Sequence, residues 1–159
     1  MKALIISDTH RRNDNFLKVI EQVAPVDLVI HCGDVEGSQH LIQNAAGCPV
    51  QCVAGNNDYF GDLPSELEFM VGKYRVWVTH GHHYYVSMSN EYLKREARAK
   101  GADIVMFGHT HRPIVNWEND LVVVNPGSLS YPRQDGRKPS FILMDIDRMG
   151  DVHFTIRYL

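Results

Sequence analysis

The sequence is poor in cysteine, carries little net charge and has no long apolar run. Its three cysteines, Cys32, Cys48 and Cys52, are an odd number in apolar surroundings, with no C-x-x-C pair among them. That argues against a disulfide framework or a cysteine-based zinc site and points to reduced core residues. Sixteen Lys and Arg against nineteen Asp and Glu leave a formal charge of -3. A general electrostatic grip on nucleic acid or an anionic membrane is therefore not expected. No hydrophobic stretch reaches membrane-spanning length, and the opening MKALIIS is too short for a secretory leader and reads as a strand. Linkers, repeats and low-complexity segments are missing too. With 44% hydrophobic residues among 159, the chain is expected to form a single domain over 1–159 around a real core. The unpaired cysteines suggest the cytoplasm as its compartment.

What is present has a rhythm. KALIIS, LVIHC and VQCV are short apolar runs that read as buried strands. Between them lie two amphipathic segments. One has Asn13 or Asp14 as its cap and Phe16, Leu17, Ile20 and Val23 on one face. The other has Ser38 as its cap, Leu41, Ile42 and Ala45 inward, and Gly47 as its stop. This βαβαβ order predicts parallel strands with right-handed crossovers. After Gly61 the pattern changes to hairpins, at Gly72-Lys73, at Asn119-Asp120 and at Arg148-Met149-Gly150. A third helix is expected over 90–100, ended by Gly101, with IVMF as a further buried strand. The expected fold class is α/β (α+β), with two packed mixed sheets flanked by helices.

The polar residues fall at strand ends. KALIIS leads into Asp8-Thr9-His10, LVIHC into Gly33-Asp34, and VQCV into Gly55-Asn56-Asn57-Asp58. VWVT leads into His80-Gly81-His82, and IVMF into Gly108-His109-Thr110-His111. Ligands of open α/β sheets sit at the carboxyl ends of strands, so five such loops would gather carboxylates, an amide and imidazoles into one cleft. Singly each motif is weak, since an Asp after a strand is usually a turn or cap residue. Their recurrence at successive strand ends is the signal. Imidazoles mixed with carboxylates suit Mn, Fe(II), Zn or a similar ion, whereas Mg or Ca would favour an all-oxygen cage. Two such ions can clamp an in-line displacement at phosphorus and lower the pKa of a shared water, supplying hydroxide at neutral pH.

With SDTH, HCGD, AGNND, THGH, FGHTH and the later NPGS in this order, the sequence resembles the calcineurin-like metallophosphoesterase superfamily. It is most similar to the small YfcE-type phosphodiesterase branch, over nearly the whole chain. The resemblance implies a two-sheet sandwich flanked by helices. It also implies a dinuclear metal-dependent phosphodiesterase in which a metal-bridging hydroxide attacks a small phosphate ester in line. By motif position, Asp8, His10 and His111 would serve one metal, and Asn56, His80 and His109 the other, with Asp34 bridging. The two ions implied would be divalent transition metals, with Mn(II) favoured and Fe, Ni or Zn as alternatives.

Two departures stand out. Asn57 occupies the position where many relatives carry a proton-donating His, and it cannot titrate. Arg11-Arg12 follow DTH where a small residue is common; they are either phosphate contacts or a solvated pair. His82 is either a contact to substrate and source of a proton, or a support for His80. The rival reading is a non-catalytic scaffold like the retromer subunit of the same fold. Such relatives lose metal-binding His, while all seven expected ligands are present here. A membrane partner is not expected, and a homo-oligomer is left open.

Overall fold

The protein was analysed as a computed structural model that describes residues 1–59 and 61–159. Ten strands form two five-stranded mixed sheets. The first sheet contains β1 (Lys2–Ile6), β2 (Leu28–His31), β3 (Val50–Cys52), β9 (Ser140–Ile146) and β10 (Val152–Tyr158), in the order β10-β9-β1-β2-β3. The second contains β4 (Glu66–Val71), β5 (Tyr74–Thr79), β6 (Ile104–Met106), β7 (Pro113–Trp117) and β8 (Val122–Pro126), in the order β4-β5-β6-β8-β7. Strands β1, β2 and β3 run parallel, as do β5, β6 and β8; β9 and β10 add antiparallel to the first sheet, and β4 and β7 close the two edges of the second antiparallel.

Period-two side-chain alternation assigns each strand to two cores at once. Ala3 and Ile5 of β1, with Ile30, face Val76, Val78, Ile104 and Met106 between the sheets. Leu4 and Ile6 point the other way, against helices α1 (Asp14–Val23) and α2 (Gln39–Ala46). On the far side of the second sheet, Trp77, Val105 and Val123 pack on Leu93 and Ala97 of α3 (Glu91–Ala99). The layers are thus helix, sheet, sheet, helix. Among the described residues no helix is long and apolar enough to cross a membrane.

The helix faces differ from the sequence expectation. Phe16, Val19, Ile20 and Val23 are buried on α1, while Leu17 is 42% exposed. On α2, Ile42 is buried and Leu41 is 43% exposed. Positions 16, 19, 20 and 23 follow the 3.6-residue period, and Leu17 lies about 100° around the helix from Phe16, outside that stripe. Asn13 and Ser38 do occupy the N-cap positions, but neither makes a side-chain capping bond. Gly47 ends α2 in the left-handed region, as expected. The three cysteines are free, and burial pushes the Cys52 thiol up to about 12. Trp77 is buried edge-on against Tyr84, and Trp117 lies exposed on Phe154 of the other sheet.

Candidate metal centre

Because β1, β2, β3, β5 and β6 are parallel within their sheets, their carboxyl ends deliver loops to one edge of the sandwich. The loops are laced together there. Asp8 N–H donates to Gly33 O (3.0 Å), His10 N–H to Asp34 O (3.0 Å) and Gly108 N–H to His80 O (3.1 Å). Close approach demands glycine at several points, Gly55 beside Asp34 among them. A Cβ on Gly33 would lie 2.6 Å from His80 Nδ1, and one on Gly108 would collide with Ser7 Oγ and approach Asp8 Oδ2 to 2.8 Å. Several of the turns are strained. Asp8, His10, Asp34, His109 and His111 all adopt positive φ, between 45° and 65°. L residues avoid that region, and such strain concentrates at functional sites.

All seven residues expected as ligands come together. Asp8 Oδ1 lies 2.9 Å from His111 Nε2 and 3.8 Å from His10 Nε2. Asp34 Oδ2 lies 3.6 Å from His10 Nε2 and 3.4 Å from His80 Nε2. Asn56 Oδ1 is 3.0 Å from His80 Nε2 and 2.8 Å from His109 Nδ1. Donor atoms of Asp8, His10 and His111 lie within 4.8 Å of one another, as do those of Asp8, Asp34 and His80. Two carboxylates, Asp8 and Asp34, therefore stand between the two groups.

The ring orientations are fixed from outside. His10 Nδ1 is 2.6 Å from Glu36 Oε1, His80 Nδ1 is 2.7 Å from Cys32 O, and His111 Nδ1 is 2.7 Å from Tyr131 O. A carboxylate or carbonyl oxygen can only accept, so each Nδ1 carries a proton, and Nε2 is left as the inward atom that could bind a cation in place of a proton. Asp8 Oδ1 and His10 Nε2 are buried without a hydrogen-bond partner. Buried polar atoms are normally satisfied, and a cation between them would satisfy both. Imidazole, carboxylate and amide oxygen together fit a borderline divalent transition ion.

The electrostatics agree. Burial raises the pKa of both carboxylates, but His111 and His80 outweigh it at Asp8, and His80 and Asn57 at Asp34, so both remain below the usual range. Burial opposes protonation of His80, and Asp34 and Asp8 override it. This is a negative interior suited to a cation.

The remaining candidates divide. Asn57 lines the cleft but clamps Asp34, its backbone N–H donating to Oδ1 and its Nδ2 to Oδ2, both at 2.8 Å. His82 packs beside His80 and His109, with ring centroids at 5.4 and 6.1 Å. Burial, then the neighbouring imidazoles of His80, His83 and His109, push its pKa down to about 4. Arg11 donates to Glu36 O (2.8 Å) and Arg12 sits 4.6 Å from the Tyr131 ring centre. Neither lines the cleft, whose cationic side is Arg112, Arg133 and Arg137. Those three arginines and the Glu36, Cys32 and Tyr131 acceptors were not singled out from the sequence. So too Asp58, which ties Val35, Glu36 and Gly55 N–H groups together. The one available signal was the placement of Arg112 directly after the GHTH motif.

Residues 1–149 match the calcineurin-like phosphoesterase superfamily domain. The chain is 35% identical to the "probable metallophosphoesterase YsnB" of Bacillus subtilis over 134 residues, covering 84% of this chain and 78% of that protein. It is 31% identical over 145 residues to a phosphodiesterase of Methanocaldococcus jannaschii, covering 80% and 83% of the two chains. The solved structure of Entamoeba histolytica Vps29 complexed with zinc shares the fold, with a TM-score of 0.79, 23% identity and 99% of each chain covered. Family match, relatives and the site at the strand ends point the same way: this chain belongs to the calcineurin-like phosphoesterase superfamily.

Proposed function

We propose that the protein is a dinuclear metal-dependent phosphodiesterase whose whole site is built by one domain over 1–159. Water adds in line to phosphorus and an alcohol leaves. Asp8, His10 and His111 would hold one divalent ion, and Asn56, His80 and His109 the second, with Asp34 bridging. Such ions, Mn(II) first and Fe, Ni or Zn as alternatives, supply Lewis acidity toward phosphoryl oxygens and bring the pKa of water close to neutrality. The observation that carries the reading is that His10, His80 and His111 hold Nδ1 against outer oxygens and turn Nε2 toward two buried carboxylates.

The chain's own residues do the rest. Asn57 fixes both oxygens of Asp34 and so sets where a bridging carboxylate stands. It has no proton to give a departing alkoxide, so good leaving groups should react best. His82 is placed to support His80 and His109. Removal of metal with EDTA should abolish hydrolysis of bis(p-nitrophenyl) phosphate, and Mn(II) should restore it better than Mg(II). Turnover that survives exhaustive metal removal would sink the mechanism. The likeness to Vps29 favours one rival, a scaffold of the same fold. Two ions bound without hydrolysis of any activated diester would favour it.

A further inference from the structure

The cleft beside the ligands has a second chemical character. Arg112, Arg133 and Arg137 form one wall of a cavity of about 610 Å³ that also reaches His10, Asn57 and His109. All three arginines are exposed. Among the described residues none of the three guanidiniums is engaged by a carboxylate. Several surface cations elsewhere are, as Lys73 pairs with Asp151, Lys94 with Glu118, Arg98 with Asp120 and Lys100 with Glu68; those without a carboxylate among the described residues, such as Lys18, Arg148 and Arg157, line no part of this cavity. The chain as a whole is acidic, so three unneutralised arginines on one wall are a local concentration and not an overflow of positive charge.

The wall is also keyed to the metal centre. Arg112 follows His111 directly in sequence. The segment carrying Arg133 and Arg137 is pinned to the same histidine twice, by Arg133 N–H donating to His111 O (3.0 Å) and by His111 Nδ1 donating to Tyr131 O (2.7 Å). Arg12 lies over the Tyr131 ring and braces this segment from behind. Arg137 holds a positive φ of 44°, an unfavourable conformation for a long side chain on a surface with no role. Arg112 and Arg133 also border an adjoining depression of about 430 Å³, next to Thr110 and Ile114. The wall therefore stands where the substituent of an ester would extend from the ligand cluster.

We infer that the physiological substrate is a small phosphodiester carrying a second phosphate group, seated on Arg112, Arg133 and Arg137. This rests on the phosphodiesterase reading and names the substrate class for it. Three guanidinium forks offer more donors than the two oxygens of a carboxylate can use, and they match a phosphate dianion. The cavity has the size of a small-molecule site, about 300–1,000 Å³. The acidic chain would repel a long polyanion.

The test uses p-nitrophenyl phosphodiesters of ethane-, propane- and butanediol, each ending in a hydroxyl, a carboxylate or a phosphate. The flexible tethers remove any dependence on one reach. At the best length the phosphate form should exceed its hydroxyl parent about 10- to 100-fold in kcat/KM, as expected for charge-assisted hydrogen bonds. The gain should shrink as KCl rises from about 50 to 500 mM, because the wall is exposed. Arg112→Gln/Arg133→Gln/Arg137→Gln, checked for folding by circular dichroism, should lose the gain. The corresponding Lys replacements should keep part of it. Phosphate forms no better than hydroxyl forms at every length, or an undiminished gain in the triple variant, would overturn the inference. Carboxylates equal to phosphates would overturn the choice of phosphate. Tight oligodeoxynucleotide binding without preference among the small esters would overturn the choice of a small substrate. If no ester is cleaved, bis(p-nitrophenyl) phosphate included, the phosphodiesterase reading fails instead. Calorimetry with propane-1,3-diyl bisphosphate then decides the wall alone. A Kd at least about tenfold weaker in the triple variant supports it, and an equal Kd overturns it.

Discussion

Of His10, His80 and His111, His10 alone has its Nδ1 held by a replaceable side chain, that of Glu36. His80 and His111 give their Nδ1 protons to the backbone carbonyls of Cys32 and Tyr131, which no substitution removes. His10 gives its proton to Glu36 Oε1 at 2.6 Å. In Glu36→Ala the ring would be free to turn and to carry its proton on Nε2, the atom that faces Asp8 and Asp34. Loss of such an outer partner weakens metal binding about 10- to 100-fold, or about 1.4–2.7 kcal/mol. The loss should fall on the ion held by Asp8, His10 and His111. The other ion should change less, because Glu36 bonds to neither His80 nor His109. Glu36→Gln keeps an accepting oxygen but not the charge, so its loss should be smaller than that of alanine. The loop itself should survive, since Arg11 is bonded to the backbone oxygen of residue 36 at 2.8 Å. Competition of Mn(II) or Zn(II) against a chromophoric chelator, fitted to two sites, reads the affinities. Long-range nitrogen–proton NMR correlations of the metal-free protein read the tautomer. Wild-type affinity at both sites in Glu36→Ala, with His10 still protonated on Nδ1, would refute the reasoning.

Asp34→Asn should lower occupancy at both ion sites. Full loading in that variant, with loss at both sites in Asp8→Asn, would move the bridge to Asp8, which also stands between the two groups. Gly108→Ala should lower Tm by several degrees and reduce metal content, since its Cβ collides with Ser7 in a packed loop. An unchanged Tm would show that the loop yields without cost. The acid limb of stability should depend on Glu66, which accepts from Trp77 Nε1 at 3.1 Å and from Tyr84 OH, and pairs with Lys100 at 3.3 Å. Burial raises its pKa, but Tyr84, Lys100 and Trp77 bring it below the ordinary 4.5. Its contribution is therefore present above that value and lost as pH falls through the lower folded value. Glu66→Gln should flatten the urea-midpoint profile below pH 4.5, and an unaltered profile would rule Glu66 out as its source.

The clustering of the seven candidate ligands was legible because its signal is local. Each ligand follows a short apolar run, and strand ends in parallel sheets share an edge. The hairpins were legible because their turns carry Gly, Asn or Asp between alternating runs. Glu36 was not, because it lies 26 residues from His10 and meets it only through a turn with left-handed residues at both ends, Asp34 and Glu36. The arginine wall was hidden for a similar reason. Residues 127–139 contain no strand or helix of their own, so no periodicity says which side chains turn toward the cleft. Arg11 and Arg12 looked better placed by adjacency to the DTH motif. The positive φ of Arg11 redirects the chain, and the pair ends on Glu36 and Tyr131. Leu17 and Leu41 misled because apolarity alone does not define a helix face; the register against the sheet does.

The fold does not choose between an enzyme and a scaffold, since Vps29 shares it. The conformations of the donors bear on that choice. Asp8, His10, Asp34, His109 and His111 each hold a positive φ, at a cost of roughly 1–2 kcal/mol per residue. Asp and His tolerate the region better than most residues, which puts each near the lower figure. Five such costs still approach the whole net stability of a domain, about 5–15 kcal/mol. To these is added the burial of Asp8 Oδ1 and His10 Nε2 without partners, at about 1–3 kcal/mol for each unsatisfied group. A surface kept only for packing against another protein would lose nothing by placing glycine and asparagine at these turns and apolar residues behind them. Cations between the donors recover the cost directly, by satisfying the orphaned atoms and neutralising two adjacent carboxylates. The strain is therefore concentrated where metal coordination would offset it, which favours a metal-binding site over a surface kept for packing alone; hydrolysis, and not metal binding, then separates an enzyme from a metal-bearing scaffold.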